Sequence, residues 1–133
     1  MDLLGDDFPF HAEALAGKRV LICGASGGIG AATARIMAKA GASTVVAARS
    51  VEKLDALVKE LAGLGPGPHV AMALDLEDLS AVDAAVEALL SDGPVHVLVN
   101  NAGGPPGGAL IDAEVDEFIA PFQRHLHASH TLV

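Results

Sequence analysis

The chain's 133 residues suffice for one domain with a real core but not for two. With 51% hydrophobic and only 19% charged residues, the composition suits a fold with buried strands better than a disordered chain. Eight basic against seventeen acidic residues give a net charge of -9. A surface of that sign repels phosphate backbones and anionic lipid, which argues against nucleic acid and membrane surfaces as partners.

The one cysteine, Cys23, cannot form an internal disulfide, so a reducing, cytoplasmic setting is expected. No stretch approaches the roughly 20 apolar residues of a membrane span. The start "MDLLGDDFPF" is acidic and lacks the basic residues and long apolar run of a signal peptide. Tyrosine and tryptophan are missing altogether.

Residues 1–17 have no clear period and carry Pro9 with three early aspartates, Asp2, Asp6 and Asp7, which reads as an N-terminal extension. "KRVLIC", 18–23, is a short apolar run before glycines, as in a buried strand. From Ile29 a helix is expected with Ile29, Thr33, Ile36, Met37 and Ala40 on one stripe, followed by Gly41 at its C-terminal end. "STVVAA", 43–48, is rich in β-branched residues and reads as a second strand. Ser50 can cap a helix whose buried stripe is Val51, Leu54, Leu57, Val58 and Leu61.

"GLGPGP" ends that helix in a loop. "HVAMALDL", 69–76, predicts a third strand closing at Asp75, and Leu79, Val82, Val86, Leu89 and Leu90 mark the next helical stripe. "VHVLVN", 95–100, is a fourth strand, and the turn-rich "NAGGPPGG" follows it. A last helical region from about Asp112 is interrupted by Pro121, which should kink or restart it. No internal repeat is visible. Four alternations of apolar strand and amphipathic helix predict a parallel sheet covered on both faces. Right-handed crossovers put its strands in the order 3-2-1-4, a Rossmann-type doubly wound α/β fold. The chain stops inside the fourth helix, so the fold is expected to be truncated there.

A strand that ends in glycines and opens a helix suits a phosphate group. The helix N-terminus leaves backbone N–H groups unpaired and carries partial positive charge. Glycines permit a tight turn and remove the Cβ atoms that would block a pyrophosphate. The spacing at Gly24, Gly28 and Gly30 is Gly-x-x-x-Gly-x-Gly, and no lysine follows where a P-loop needs one, which excludes an ATPase or GTPase.

Here the sequence resembles a known family. "CGASGGIG" is similar to the Thr-Gly-x-x-x-Gly-Ile-Gly fingerprint of the short-chain dehydrogenases/reductases, with Cys23 in place of the threonine. "NNAG", 100–103, resembles that family's second motif, and Asp75 falls where the family has an aspartate near the adenine ring. The resemblance covers residues 18–133 and implies a dinucleotide-binding domain over that span. Cofactor-binding roles are implied for Gly24, Ser26, Gly28, Ile29, Gly30, Asp75, Leu76, Asn101, Ala102 and Gly103. The second strand ends "AARS", where an acid would bind both ribose hydroxyls and repel a 2′-phosphate. Ala48 followed by Arg49 and Ser50 instead favours NADP(H) over NAD(H), because arginine forks around phosphate oxygens. Gly27 sits where many NADP-dependent relatives carry a second basic residue, so this preference rests on Arg49.

The family's chemistry needs a serine and a Tyr-x-x-x-Lys pair. A chain without tyrosine does not contain that pair, so no catalytic residue is assigned and the 133 residues alone are expected to be inactive. The family's asparagine in the fourth helix falls on His125, counting from Phe118, which removes that asparagine from the family's water-linked proton relay. His125, His127 and His130 do not converge on a regular helix, so no metal site is expected. Asp75, Glu77 and Asp78 could form a carboxylate pair, but Asp78 is better placed as a helix cap. Three readings stay open: the cofactor-binding part of a carbonyl reductase or alcohol dehydrogenase acting on a small carbonyl or alcohol, a non-catalytic dinucleotide-binding module, and a structural remnant. The family resemblance and the edge of the fourth strand also suggest a homo-oligomer.

Overall fold

The computed structural model describes residues 11–104 and 107–133. Asp2, Asp6, Asp7 and Pro9 of the expected extension, and Pro105 and Pro106 of the turn-rich segment, lie outside the described residues. The chain divides into two compact units. The first runs to Ala73 and takes in Gly93–Asn101; the second joins Leu74–Asp92 to Ala102–Val133.

The first unit is built on β1 (Arg19–Cys23), β2 (Ser43–Ala48), β3 (His69–Ala73) and β4 (Val97–Val99). All pairings are parallel and the order is β3-β2-β1-β4, as the alternating pattern predicts. In register, Arg19 lies beside Ser43 and Cys23 beside Ala47, while Thr44 lies beside His69 and Ala48 beside Ala73. On the other side of β1, Val20 lies beside Val97 and Ile22 beside Val99. The central strands are buried over Val20–Cys23 and Thr44–Ala47, and the two edge strands are only partly covered. Thr44 is the one fully buried polar side chain among the described residues, and its hydroxyl is 2.9 Å from His69 Nδ1.

Helices α1 (Gly28–Lys39) and α2 (Val51–Leu61) pack against this sheet and against each other. On α2, Leu54, Leu57 and Leu61 are buried as expected, Val58 is half-buried and Val51 is exposed. On α1 the expected stripe holds only in part: Ala40 is buried and Met37 packs against the core, but the fully buried face of the helix is a different one. The buried face is Gly30, Ala31, Ala34 and Ala38, whereas Ile29 is 76% exposed. Small side chains let α1 sit close to Val20, Ile22 and Val46 in the core, and the larger residues turn partly or wholly outward. Arg35 on α1 makes a two-pronged ion pair with Glu60 on α2, at 2.7 and 2.8 Å. Residues 12–17 form turns, with Leu15 N donating to Ala40 O at 2.8 Å.

The second unit contains α3 (Leu79–Ser91), a short 3-10 turn (Leu110–Asp112), α4 (Asp116–Phe122) and α5 (Ala128–Thr131). Asp78 caps α3: its carboxylate accepts from Ala81 N at 3.1 Å and from the Ser80 hydroxyl at 2.7 Å. Val82 and Leu89 are buried on α3, but Leu90 is exposed. Between α4 and α5 the backbone widens into a π-helical turn over Gln123–His127. Pro121 lies inside α4, and the expected interruption comes two residues after it, where the π-helical turn begins, with α-helix resuming at Ala128.

Candidate functional site

In the first unit the C-terminal ends of β1, β2 and β4 lie on one edge of the sheet, because all three strands run parallel. Beyond β1 the chain turns through Gly24–Gly27 into α1. Gly24 has φ +64°, and a Cβ there would come within 2.5 Å of the Asn101 carbonyl oxygen. Two residues beyond β4, the Asn101 side chain donates to the carbonyls of Cys23 (3.2 Å) and Gly24 (3.3 Å). The asparagine thus fastens the glycine turn to the end of β4. Its amide faces the protein, a bracing contact that spacing alone does not reveal. Ala25 is fully buried, and its N–H donates to Ala47 O at 3.1 Å.

The three glycines have different duties. A Cβ on Gly30 would run into the Gly24 carbonyl, so the helix can begin this close to β1 only with glycine there. Gly28 has φ +53°, and a Cβ on it would meet nothing within 4 Å. The space above Gly28 is open. No acidic side chain lies in the first turn of α1 and no side chain caps it, so its N-terminal amides are not spent on a protein carboxylate. Ser26 is half-buried, and Ile29 stands exposed beside the turn.

Arg49 and Ser50 follow β2, one strand over. Arg49 is exposed and forms no hydrogen bond or ion pair with the described residues. Ser50 occupies the N-cap position of α2 in extended conformation, but its hydroxyl makes no cap bond, contrary to the expectation from sequence. Both side chains are left available. Cys23 is buried at the end of β1, and desolvation pushes its thiol from about 9 to about 11, which keeps it protonated.

Asp75, Leu76, Ala102 and Gly103 fall in the second unit. Asp75 does not close a strand: β3 ends at Ala73, and Asp75 Oδ1 accepts from Glu77 N at 3.0 Å in a tight turn. Glu77 pairs with Arg124, a residue to which sequence reasoning gave no role. Arg124 Nη1 also donates to Gly103 O at 2.9 Å, and His125 Nε2 lies 3.2 Å from the same carbonyl. The carboxylates Asp75, Glu77 and Asp78 are thus committed to a turn, an ion pair and a helix cap, which leaves no acid–base pair among them. No local signal marks Arg124, because its partners Glu77 and Gly103 lie 47 and 21 residues away in sequence.

The π-helical turn alters the histidine geometry assumed for a regular helix. His127 packs edge-on against Phe122, with ring centroids 5.3 Å apart. No three potential ligands converge to hold a metal among the described residues, and no helix among them is long and apolar enough to cross a membrane.

The family model for short chain dehydrogenases matches residues 18–133. The chain belongs to this family. Among short-chain dehydrogenase/reductase relatives, a probable oxidoreductase of Streptomyces lividans is 42% identical over 89 residues, covering 67% of this chain and 29% of that protein. Human L-xylulose reductase is 37% identical over 114 residues, covering 86% and 43%. The structure of a metagenomic short-chain oxidoreductase in complex with NADP superposes with a TM-score of 0.82 at 38% identity, covering 90% of this chain and 54% of that one. L-Sorbose reductase from Gluconobacter frateurii, complexed with NADPH and L-sorbose, gives 0.83 at 31% identity, covering 92% and 47%. The chain therefore spans about half the length of these solved structures and less than half of the two named relatives.

Proposed function

We propose that residues 18–133 form the NADP(H)-binding domain of a short-chain dehydrogenase/reductase that transfers hydride between this cofactor and a small carbonyl or alcohol. Residues 1–17 are then an extension to it. The observation that carries this reading is the edge at β1 and β2. An open position above Gly28, a helix start free of acid and an unpartnered Arg49 there suit a pyrophosphate and a 2′-phosphate. Complexes of solved relatives with NADP and NADPH support it.

In this reading the amides at Gly28, Ile29 and Gly30 receive the pyrophosphate, Gly24 and Ser26 shape the turn, and Asn101 holds the turn rigid. Arg49 and Ser50 take the 2′-phosphate. Asp75 and Leu76 serve the adenine end, with Ala102 and Gly103 completing the set. When bound, the nicotinamide group supplies or accepts the hydride. These residues bind and orient; none of them is a proton donor of the right kind. A second reading is a dinucleotide-binding module, since every role proposed for these residues is one of binding. Self-association through the edge of β4 is compatible with both.

Arg49 provides the test. NADPH should bind more tightly than NADH in calorimetry, and Arg49→Ala should erase most of the difference, a charge-assisted hydrogen bond being worth roughly 1.5–3 kcal/mol. Equal affinities before mutation would defeat the NADP assignment.

A further inference from the structure

We infer that Arg124 is a positioning residue that ties together the two loops of the second unit carrying Asp75–Leu76 and Ala102–Gly103, and thereby sets cofactor affinity. The inference rests on the dinucleotide reading above. Its basis is a continuous run of bonds. The Asp75 carboxylate accepts from Glu77 N, the Glu77 carboxylate pairs with Arg124 Nη2, and Arg124 Nη1 donates to Gly103 O, with Gly104 O 3.5 Å away. One guanidinium thus serves a carboxylate on one loop and a carbonyl on the other. Arginine suits that position because its planar fork offers several donors in fixed directions and accepts nothing.

The pair is not an ordinary solvated one. The Arg124 and Glu77 side chains are 20% and 34% exposed, so water and salt screen it less than a fully exposed pair. What it restrains also matters. Gly103 and Gly104 belong to a segment without regular secondary structure, and glycine loses the most backbone freedom on ordering. A cofactor that needs this loop in one conformation must supply the ordering itself if nothing else holds it. With Arg124 in place the loop is held beforehand. His125, 3.2 Å from the Gly103 carbonyl, adds a weaker second hold on the same oxygen.

An ion pair that merely stabilised the fold would behave differently from a tie on Gly103, and a charge swap separates the two. In the double variant Glu77→Arg with Arg124→Glu, the pair is rebuilt, but a carboxylate at position 124 cannot donate to a carbonyl. The swap should therefore recover the thermal midpoint lost in Arg124→Met without recovering affinity. NADPH affinity, measured where circular dichroism shows each variant folded, should fall about tenfold in Arg124→Met, equivalent to ~1.4 kcal/mol. It should stay low in the swap and be intermediate in Arg124→Lys, which keeps the charge but not the fork. Amide exchange at Ala102–Gly104 should quicken in Arg124→Met and in the swap alike. Unchanged affinity in Arg124→Met, or a swap that restores affinity as well as stability, overturns the inference. A parent chain that binds no dinucleotide instead overturns the functional reading and the affinity part of the inference. The exchange comparison then decides the tie by itself, and unchanged exchange refutes it. If Arg124→Met does not fold, Arg124→Lys carries the same comparisons, and parental affinity and exchange in it refute the tie.

Discussion

Gly28 and Gly30 stand two residues apart in one turn and are glycine for different reasons. Gly30 is required by the protein, whose own Gly24 carbonyl fills the place of a side chain. Gly28 is open to solvent, so what excludes a side chain there is the left-handed backbone and, in the proposed function, a phosphate. Gly30→Ala should therefore cost stability, about 1–3 kcal/mol as for other overpacked sites, read from a denaturant midpoint. Gly28→Val should leave most secondary structure in place and abolish NADPH binding; parental NADPH fluorescence behaviour in that variant would refute the phosphate role. Cys23 offers a pH test. The folded chain keeps a proton up to about pH 11 that the unfolded chain releases near pH 9. Stability from this group is complete below pH 9 and is lost as pH rises towards 11. Cys23→Ala should flatten that alkaline loss in urea unfolding, and with no tyrosine in the chain the thiolate absorbance can be followed directly. An unchanged alkaline slope would place the cause elsewhere.

At the scale of elements, strands were legible where composition is unambiguous. β2 spans Ser43–Ala48 as its β-branched run predicts, and the leucines of α2 point inward at the expected spacing. Failures have local physical causes. β3 stops early because the Asp75 carboxylate accepts from Glu77 N and turns the chain, although Leu74 and Leu76 flank it with apolar residues. The stripe of α1 was only partly legible, with Ala40 and Met37 inward and Ile29 outward, because periodicity was sought in large residues, while close helix–sheet packing selects Gly30, Ala31, Ala34 and Ala38. The roles of Asn101 and Arg124 depend on partners 77 and 47 residues away in sequence, and no local pattern encodes them. The corrected face of α1 can be tested directly. Ala34→Leu should destabilise by about 1–3 kcal/mol through overpacking. Ile29→Ala should stay within about 0.5 kcal/mol of the parent, as exposed substitutions do. Equal effects in thermal unfolding would contradict the assignment.

For the whole molecule, the sheet order 3-2-1-4 and the glycine turn belong to the short-chain dehydrogenase fold; in the proposed function they bind the cofactor, and the 133 residues contain no tyrosine to move a substrate proton. General acid–base groups contribute roughly 10²–10⁴-fold to rate, so binding without turnover is expected of this chain alone. His125, the residue at the position of the family's asparagine, lies against the Gly103 carbonyl and is not an evident replacement acid. NADPH fluorescence follows both halves of this statement in one cuvette. Titrating the purified chain into NADPH should give a saturable shift, and adding a panel of small carbonyls should then consume no NADPH above background. Failure of the shift to appear would contradict dinucleotide binding. Carbonyl-dependent oxidation that survives removal of contaminating reductases and is lost in His125→Ala would contradict the division of labour.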